Sequence, residues 1–113
     1  MFIKEVESPQ LVSKMEEDGD LVIIDVREMH EISRGTIEGA IAMPMASIPV
    51  RLNEIPKDKE VVFICRSGAR SGQVCMFLGQ HGYDKVINLR GGMIGWVRSG
   101  NEAVLPDPIS NTY

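Results

Sequence analysis

Two short apolar runs constrain this chain more than any other feature: Leu21-Val22-Ile23-Ile24 and Val61-Val62-Phe63-Ile64. Each is too short for a core helix, is rich in β-branched residues and lacks the polar alternation of a strand with one wet face. Both therefore read as strands buried on both faces. Each runs straight into a chemically active side chain, Asp25 after the first and Cys65 after the second. A strand covered on both sides needs layers above and below it, and the intervening segments must supply them.

The intervening segments do carry helical signals. Ser8-Pro9 reads as an N-cap with proline at the first helical position, and Leu11, Val12 and Met15 give apolar spacing to about Glu17. The polar stretch Glu28 to Ser33 reads as helical, Ala40 to Met43 as a short strand stopped by Pro44, and Ser47-Ile48-Pro49 as a short helix reaching Leu52. From Ser71, the residues Val74, Phe77, Leu78 and His81 recur at helical spacing, with Gly82 as the stop. Val86 to Leu89 is a further strand, Gly91-Gly92 a turn and Met93 to Val97 a last short helix. Strands alternating with helices predict an α/β fold with a mostly parallel sheet, and such sheets present functional groups at the carboxyl ends of their strands.

With 113 residues, 43% of them hydrophobic and 25% charged, the chain is long enough to bury a core without staples. One domain over residues 1–100 is expected, followed by an irregular surface tail over 101–113 that contains Pro106 and Pro108. Only Cys65 and Cys75 are present, so no disulfide framework is expected, although composition leaves room for one bridge. The N-terminus turns acidic before any apolar stretch develops, and no later run reaches membrane length, so a cytoplasmic location is expected. The net charge of −4 argues against nucleic acid as a partner. The stretch Val61 to Ser99 runs the other way, with Arg66, Arg70, Lys85, Arg90 and Arg98 against Asp84 alone. A small anion would bind in this half.

Cys65 lies directly after a buried strand, on a polar glycine-containing loop that leads to a helix N-terminus. Unpaired N–H groups of such a loop, the helix dipole and the nearby Arg66 and Arg70 all favour the thiolate, the nucleophilic form. A structural thiol would be expected inside the apolar run rather than ahead of Arg66-Ser67-Gly68-Ala69-Arg70-Ser71. Cys75, beside Val74 and Leu78 in the middle of a helix, reads as a packing residue. Trp96 reads as core, and the scattered methionines as core filling. His30 and His81 have no metal-ligand partners at usable spacing, so neither a metal nor an organic cofactor is expected.

Four motifs in order complete the reading: Asp25-Val26-Arg27-Glu28, Gly35-Thr36-Ile37-Glu38-Gly39-Ala40-Ile41, Cys65 to Ser71, and Leu89-Arg90-Gly91-Gly92-Met93-Ile94-Gly95-Trp96. From about Ser8 to Arg98 the chain resembles a rhodanese homology domain. The resemblance implies an open, mostly parallel five-stranded sheet flanked by helices, and a loop that cradles a persulfide on Cys65. It implies a sulfurtransferase that takes a sulfane sulfur from thiosulfate or a related donor and passes it to cyanide or a thiol, a ping-pong scheme. Amides from Arg66 to Ser71 would hold the outer sulfur, and Arg66 and Arg70 would orient the donor anion.

The same resemblance brings Asp25 and Arg27 near the loop, where Asp25 accepts hydrogen bonds from the loop or pairs with an arginine. A strand-end surface ion pair is an equal alternative. Thr36 departs from the histidine common in this family and is read as structural. The partners implied are a small anionic donor and a thiol or cyanide acceptor, a protein acceptor being compatible, with no nucleic acid and no membrane. Two rivals compete. A cysteine phosphatase of similar fold uses a loop one residue longer than the four between Cys65 and Arg70. A binding module without catalysis has no need of the cysteine loop.

Overall fold

The computed structural model describes residues 2–106. They form one five-stranded, wholly parallel sheet. Strands β1 (Glu5–Val6), β2 (Val22–Asp25), β3 (Ile41–Ala42), β4 (Val61–Ile64) and β5 (Val86–Leu89) lie in the order β1-β5-β4-β2-β3. Helices α1 (Ser8–Glu17), α2 (Met29–Ile32), α3 (Ala69–Gln80) and α4 (Gly92–Arg98) cover it, with 3₁₀ turns at Met45–Val50 and Leu52–Glu54. The α/β class and the parallel sheet flanked by helices are those expected from the sequence. No described helix is long and apolar enough to cross a membrane.

β4 is the central strand, and its four residues are all buried. Their side chains alternate between two cores, as the pleat requires. Val61, Phe63 and Cys65 join Val74, Cys75 and Leu78 of α3, whereas Val62 and Ile64 pack with Leu11 of α1 and Met93 and Trp96 of α4. The Trp96 indole N–H donates to the carbonyl of Glu102 at 2.8 Å.

Several boundaries differ from expectation for local reasons. β1 carries no periodicity in two residues and exists through its pairing with β5, Glu5 opposite Asn88 and Val6 opposite Leu89. The cap of α1 is Glu7 rather than Ser8; Glu7 and Gln10 form a reciprocal capping box, and Ser8 is buried as the first helical residue. Helix α3 begins at Ala69, two residues before Ser71, because Gly68 takes a φ of +103° and turns the chain straight into the helix. The expected helix from Ser47 is 3₁₀ and begins at Met45. The start of the tail is tied down: Thr36 and Val104 exchange two backbone hydrogen bonds of 2.8 Å. Residues 107–113, including Pro108, lie outside the described part.

The turn expected at Gly91-Gly92 contains the most crowded of the described glycines. At Gly92, φ is +56°, and a Cβ would lie 2.5 Å from the Arg66 carbonyl oxygen and 2.6 Å from that of Cys65. Both oxygens are backbone and cannot yield without moving the loop. Gly92→Ala should therefore cost roughly 3 kcal/mol and lower Tm by about 10 °C or more, whereas Gly19→Ala, with no atom within 4 Å, should leave Tm nearly unchanged. Thermal denaturation of the two variants compares them directly.

Candidate active site

Cys65 stands one residue past β4, where the sheet no longer supplies backbone partners. It is 1% exposed. The Gly68 N–H donates to its Sγ at 3.0 Å, and the Ser71 hydroxyl lies 3.3 Å from the same sulfur. Burial by itself raises the Cys65 pKa. The Ser71 hydroxyl and the backbone N–H groups of Ser71, Gly68 and Ser67 more than offset it, so the thiol lies below its ordinary value. Cys75 is the contrast: burial, with a smaller contribution from Glu5, pushes its pKa up to about 12. Both cysteines are free, with no bridge between them.

Asn88 was not singled out in the sequence, yet it organises the sulfur's surroundings from β5. It is 3% exposed. Its Nδ2 donates to Glu5 Oε2 at 2.9 Å and to the Gly68 carbonyl at 3.1 Å, which orients the amide and turns Oδ1 toward the Ser71 hydroxyl 2.5 Å away. The hydroxyl has one proton for two acceptors, Oδ1 and Sγ. Asn88 therefore competes with the sulfur for it. One polar residue in the otherwise apolar run Val86 to Leu89 was the signal available in the sequence.

Two arginine–carboxylate pairs lie near the loop. Asp25 is fully buried; its carboxylate accepts from Arg27 Nη2 at 2.7 Å and from the Thr36 hydroxyl at 2.8 Å. Arg27 also donates to the Gly35 carbonyl at 2.7 Å. Asp25 thus pairs with an arginine rather than with the cysteine loop, and the pair is buried rather than on the surface. Thr36 completes that network through its hydroxyl. Arg70, in the first turn of α3, makes two hydrogen bonds to Glu31 of α2, at 2.8 and 2.9 Å. This pairing holds Glu31 at about 2, well below its ordinary 4.5. Arg66 is exposed and makes no ion pair among the described residues.

A cysteine whose thiolate is favoured by backbone N–H groups, at the carboxyl end of a central strand of a parallel α/β sheet, is the class of site the fold presents. The rhodanese-like domain model matches residues 8–99, and the chain belongs to that family. A sulfurtransferase of Allochromatium vinosum is 46% identical over 106 residues, covering 94% of this chain and 99% of its own. The thiosulfate sulfurtransferase GlpE of Glaesserella parasuis is 32% identical over 92 residues, covering 81% and 85% of the two chains. The crystal structure of a rhodanese-like domain protein from Staphylococcus aureus superposes with a TM-score of 0.83 at 32% identity, over 93% of this chain and 100% of that one. These sulfurtransferase relatives support sulfur transfer, in general terms, as the reaction of this chain.

Two outcomes follow from the geometry. The rate of alkylation at Cys65 against pH should have its midpoint below the free thiol's value of about 8.5. Ser71→Ala should raise that midpoint. Asn88→Ala should lower it by releasing the hydroxyl to the sulfur, and should have no such effect in a Ser71→Ala background; each change should move the thiolate equilibrium roughly three- to tenfold. On the acid side, Glu31 has a folded pKa depressed from 4.5 to about 2, so its pairing stabilises the fold fully above pH 4.5 and is lost as pH falls toward 2. Glu31→Gln should be less stable than wild type at pH 7, with the difference closing toward pH 2 in urea titrations.

Proposed function

We propose that the protein is a thiosulfate-type sulfurtransferase that carries sulfur as a persulfide on Cys65. The observation that carries this reading is the Sγ of Cys65, with the Gly68 N–H 3.0 Å away at the start of α3. The Cys65 thiolate attacks the outer sulfur of thiosulfate; the S–S bond of the donor breaks, and sulfite leaves with the bonding electron pair. Cyanide or a thiolate then attacks the outer sulfur of the persulfide, giving thiocyanate or a new persulfide and returning the Cys65 thiolate. No external oxidant or reductant is needed.

In this reading the amides of Ser67, Gly68 and Ser71 stabilise the anionic outer sulfur. Arg66 attracts the donor anion. Arg70 keeps its place in the first turn of α3 through Glu31, so its contribution is positive potential and loop position more than direct contact. Asp25 and Arg27 hold the segment beside the loop. A reducing cytoplasm suits a chain that depends on a free thiolate.

Cys65→Ser should abolish thiocyanate formation from thiosulfate and cyanide, with little change in stability. Cys75→Ser should retain most of the activity. Intact mass after thiosulfate treatment should show one added sulfur in wild type and in Cys75→Ser, and none in Cys65→Ser. Activity near wild type in Cys65→Ser would sink the reading.

A further inference from the structure

We infer that Glu5, on the edge strand β1, is a positioning residue for Cys65: by holding the Asn88 amide it sets how the Ser71 hydroxyl divides between Asn88 and the sulfur, and with it the balance between sulfur uptake and sulfur release. The inference rests on the persulfide reading above and adds a residue that governs the two steps of that reaction. Among the described residues, the one side-chain hydrogen bond of Glu5 is to Asn88. It acts on the sulfur only through that contact.

Strand register places the carboxylate. Glu5 lies opposite Asn88 in the parallel β1–β5 pair, and directly paired residues of adjacent strands project from the same side of a sheet. The backbone is fastened on both sides of Glu5, the Asn88 N–H donating to the Lys4 carbonyl and the Arg90 N–H to the Val6 carbonyl, each at 2.8 Å. Glu5, although exposed, therefore brings Oε2 to Asn88 Nδ2 at 2.9 Å from a fixed strand position.

Donor and acceptor chemistry leaves the amide one orientation. The Glu5 carboxylate and the Gly68 carbonyl, 3.1 Å from the same nitrogen, can only accept, so the Asn88 group that faces them both is the NH₂. Oδ1 then faces the fully buried Ser71 hydroxyl and accepts its hydrogen bond. Cys65 Sγ, 3.3 Å from that hydroxyl, is left the weaker share. Without the carboxylate, Nδ2 keeps one acceptor instead of two, the Oδ1 contact loosens, and the hydroxyl turns further toward Sγ.

The two steps of the reaction make opposite demands on Sγ. In uptake, Sγ gives its electron pair to the outer sulfur of thiosulfate, and sulfite leaves with the pair of the broken S–S bond. In release, the acceptor attacks the outer sulfur, and Sγ departs with the bonding pair as a thiolate. A hydroxyl hydrogen bond to Sγ makes the thiolate a poorer nucleophile and a better leaving group. By drawing that bond toward Asn88, Glu5 favours uptake at the expense of release.

Two variants separate the acceptor atom from its charge. Glu5→Ala removes both, whereas Glu5→Gln keeps an oxygen that can accept from Nδ2. The first readout is the pH midpoint of Cys65 alkylation by iodoacetamide, which needs no persulfide. It should fall in Glu5→Ala, with the thiolate equilibrium moving roughly threefold, stay near wild type in Glu5→Gln, and not respond to Glu5→Ala in a Ser71→Ala background. Equal shifts in the alanine and glutamine variants, or a shift that persists without the Ser71 hydroxyl, would mean that Glu5 acts by charge through space and would overturn the inference. So would an unchanged midpoint in Glu5→Ala.

The second readout is the pair of single-turnover rates, measured on the plateau above the thiol midpoint. Uptake of sulfur from thiosulfate should slow roughly twofold in Glu5→Ala, and discharge of the loaded protein to cyanide should speed up by a similar factor, with Glu5→Gln near wild type in both. A loosened β1 would slow both steps together, and that result would overturn the positioning role. Failure of Cys65 to take up sulfur in wild type would instead overturn the proposed function, with the alkylation midpoints still deciding whether Glu5 sets the state of the sulfur.

Discussion

The backbone of β4 is paired on both sides as far as the sheet extends, and the site exists because that pairing ends at Ile64. Val61 to Ile64 lie opposite Val22 to Asp25 on one side, and Val61 to Phe63 lie opposite Val86 to Asn88 on the other. The Val26 N–H takes the Ile64 carbonyl at 2.9 Å, the last sheet-like bond along the strand. Beyond it the carbonyls of Cys65 and Arg66 find partners in the first turn of α4. With those carbonyls held on one side, the loop turns through Gly68 and presents N–H groups to the sulfur. Buried backbone groups must be satisfied, and here their satisfaction dictates which polar atoms are left for chemistry.

The two arginine–carboxylate pairs near the loop do different work. The Asp25–Arg27 pair is dehydrated, and its Coulombic gain is set against a desolvation cost of similar size, so its consequence is geometric: it fixes the Arg27 fork on Gly35 and brings Thr36 to the strand end. The Glu31–Arg70 pair is partly wet and joins α2 to the first turn of α3. Neither carboxylate bonds to Cys65 in the described contacts. By occupying Arg27 and Arg70 they also decide which guanidinium groups remain to meet an anion from solution.

Much of the fold was legible because its signals were local. The runs ending at Ile24 and Ile64 have no alternative to a buried strand, and Pro9, Pro44 and Gly82 mark boundaries with fixed backbone preferences. What escaped the reading depends on distant partners. β1 has two residues and no pattern of its own; it is a strand because Asn88 and Leu89 lie opposite it. The start of α3 was placed two residues late because Ala69 and Arg70 carry no apolar periodicity, and only the left-handed turn at Gly68 makes them helical. Arg70 was read as a ligand for the donor because its charge is visible in the sequence, while Glu31, 39 residues away, is not visibly its partner.

The sequence by itself determined the layered α/β architecture, the position of Cys65 at the end of a buried strand and the basic character of the half of the chain that contains it. These follow from side-chain hydrophobicity, backbone preference and formal charge, each readable over a few neighbouring residues. The tertiary structure decided which groups face the sulfur, which cations stay unpaired and that Asn88 contends with Cys65 for the Ser71 proton. The reason is physical: a hydrogen bond or ion pair is chosen by distance and angle within a few ångströms, and only folding brings β1, β5, α2 and α4 to the end of β4.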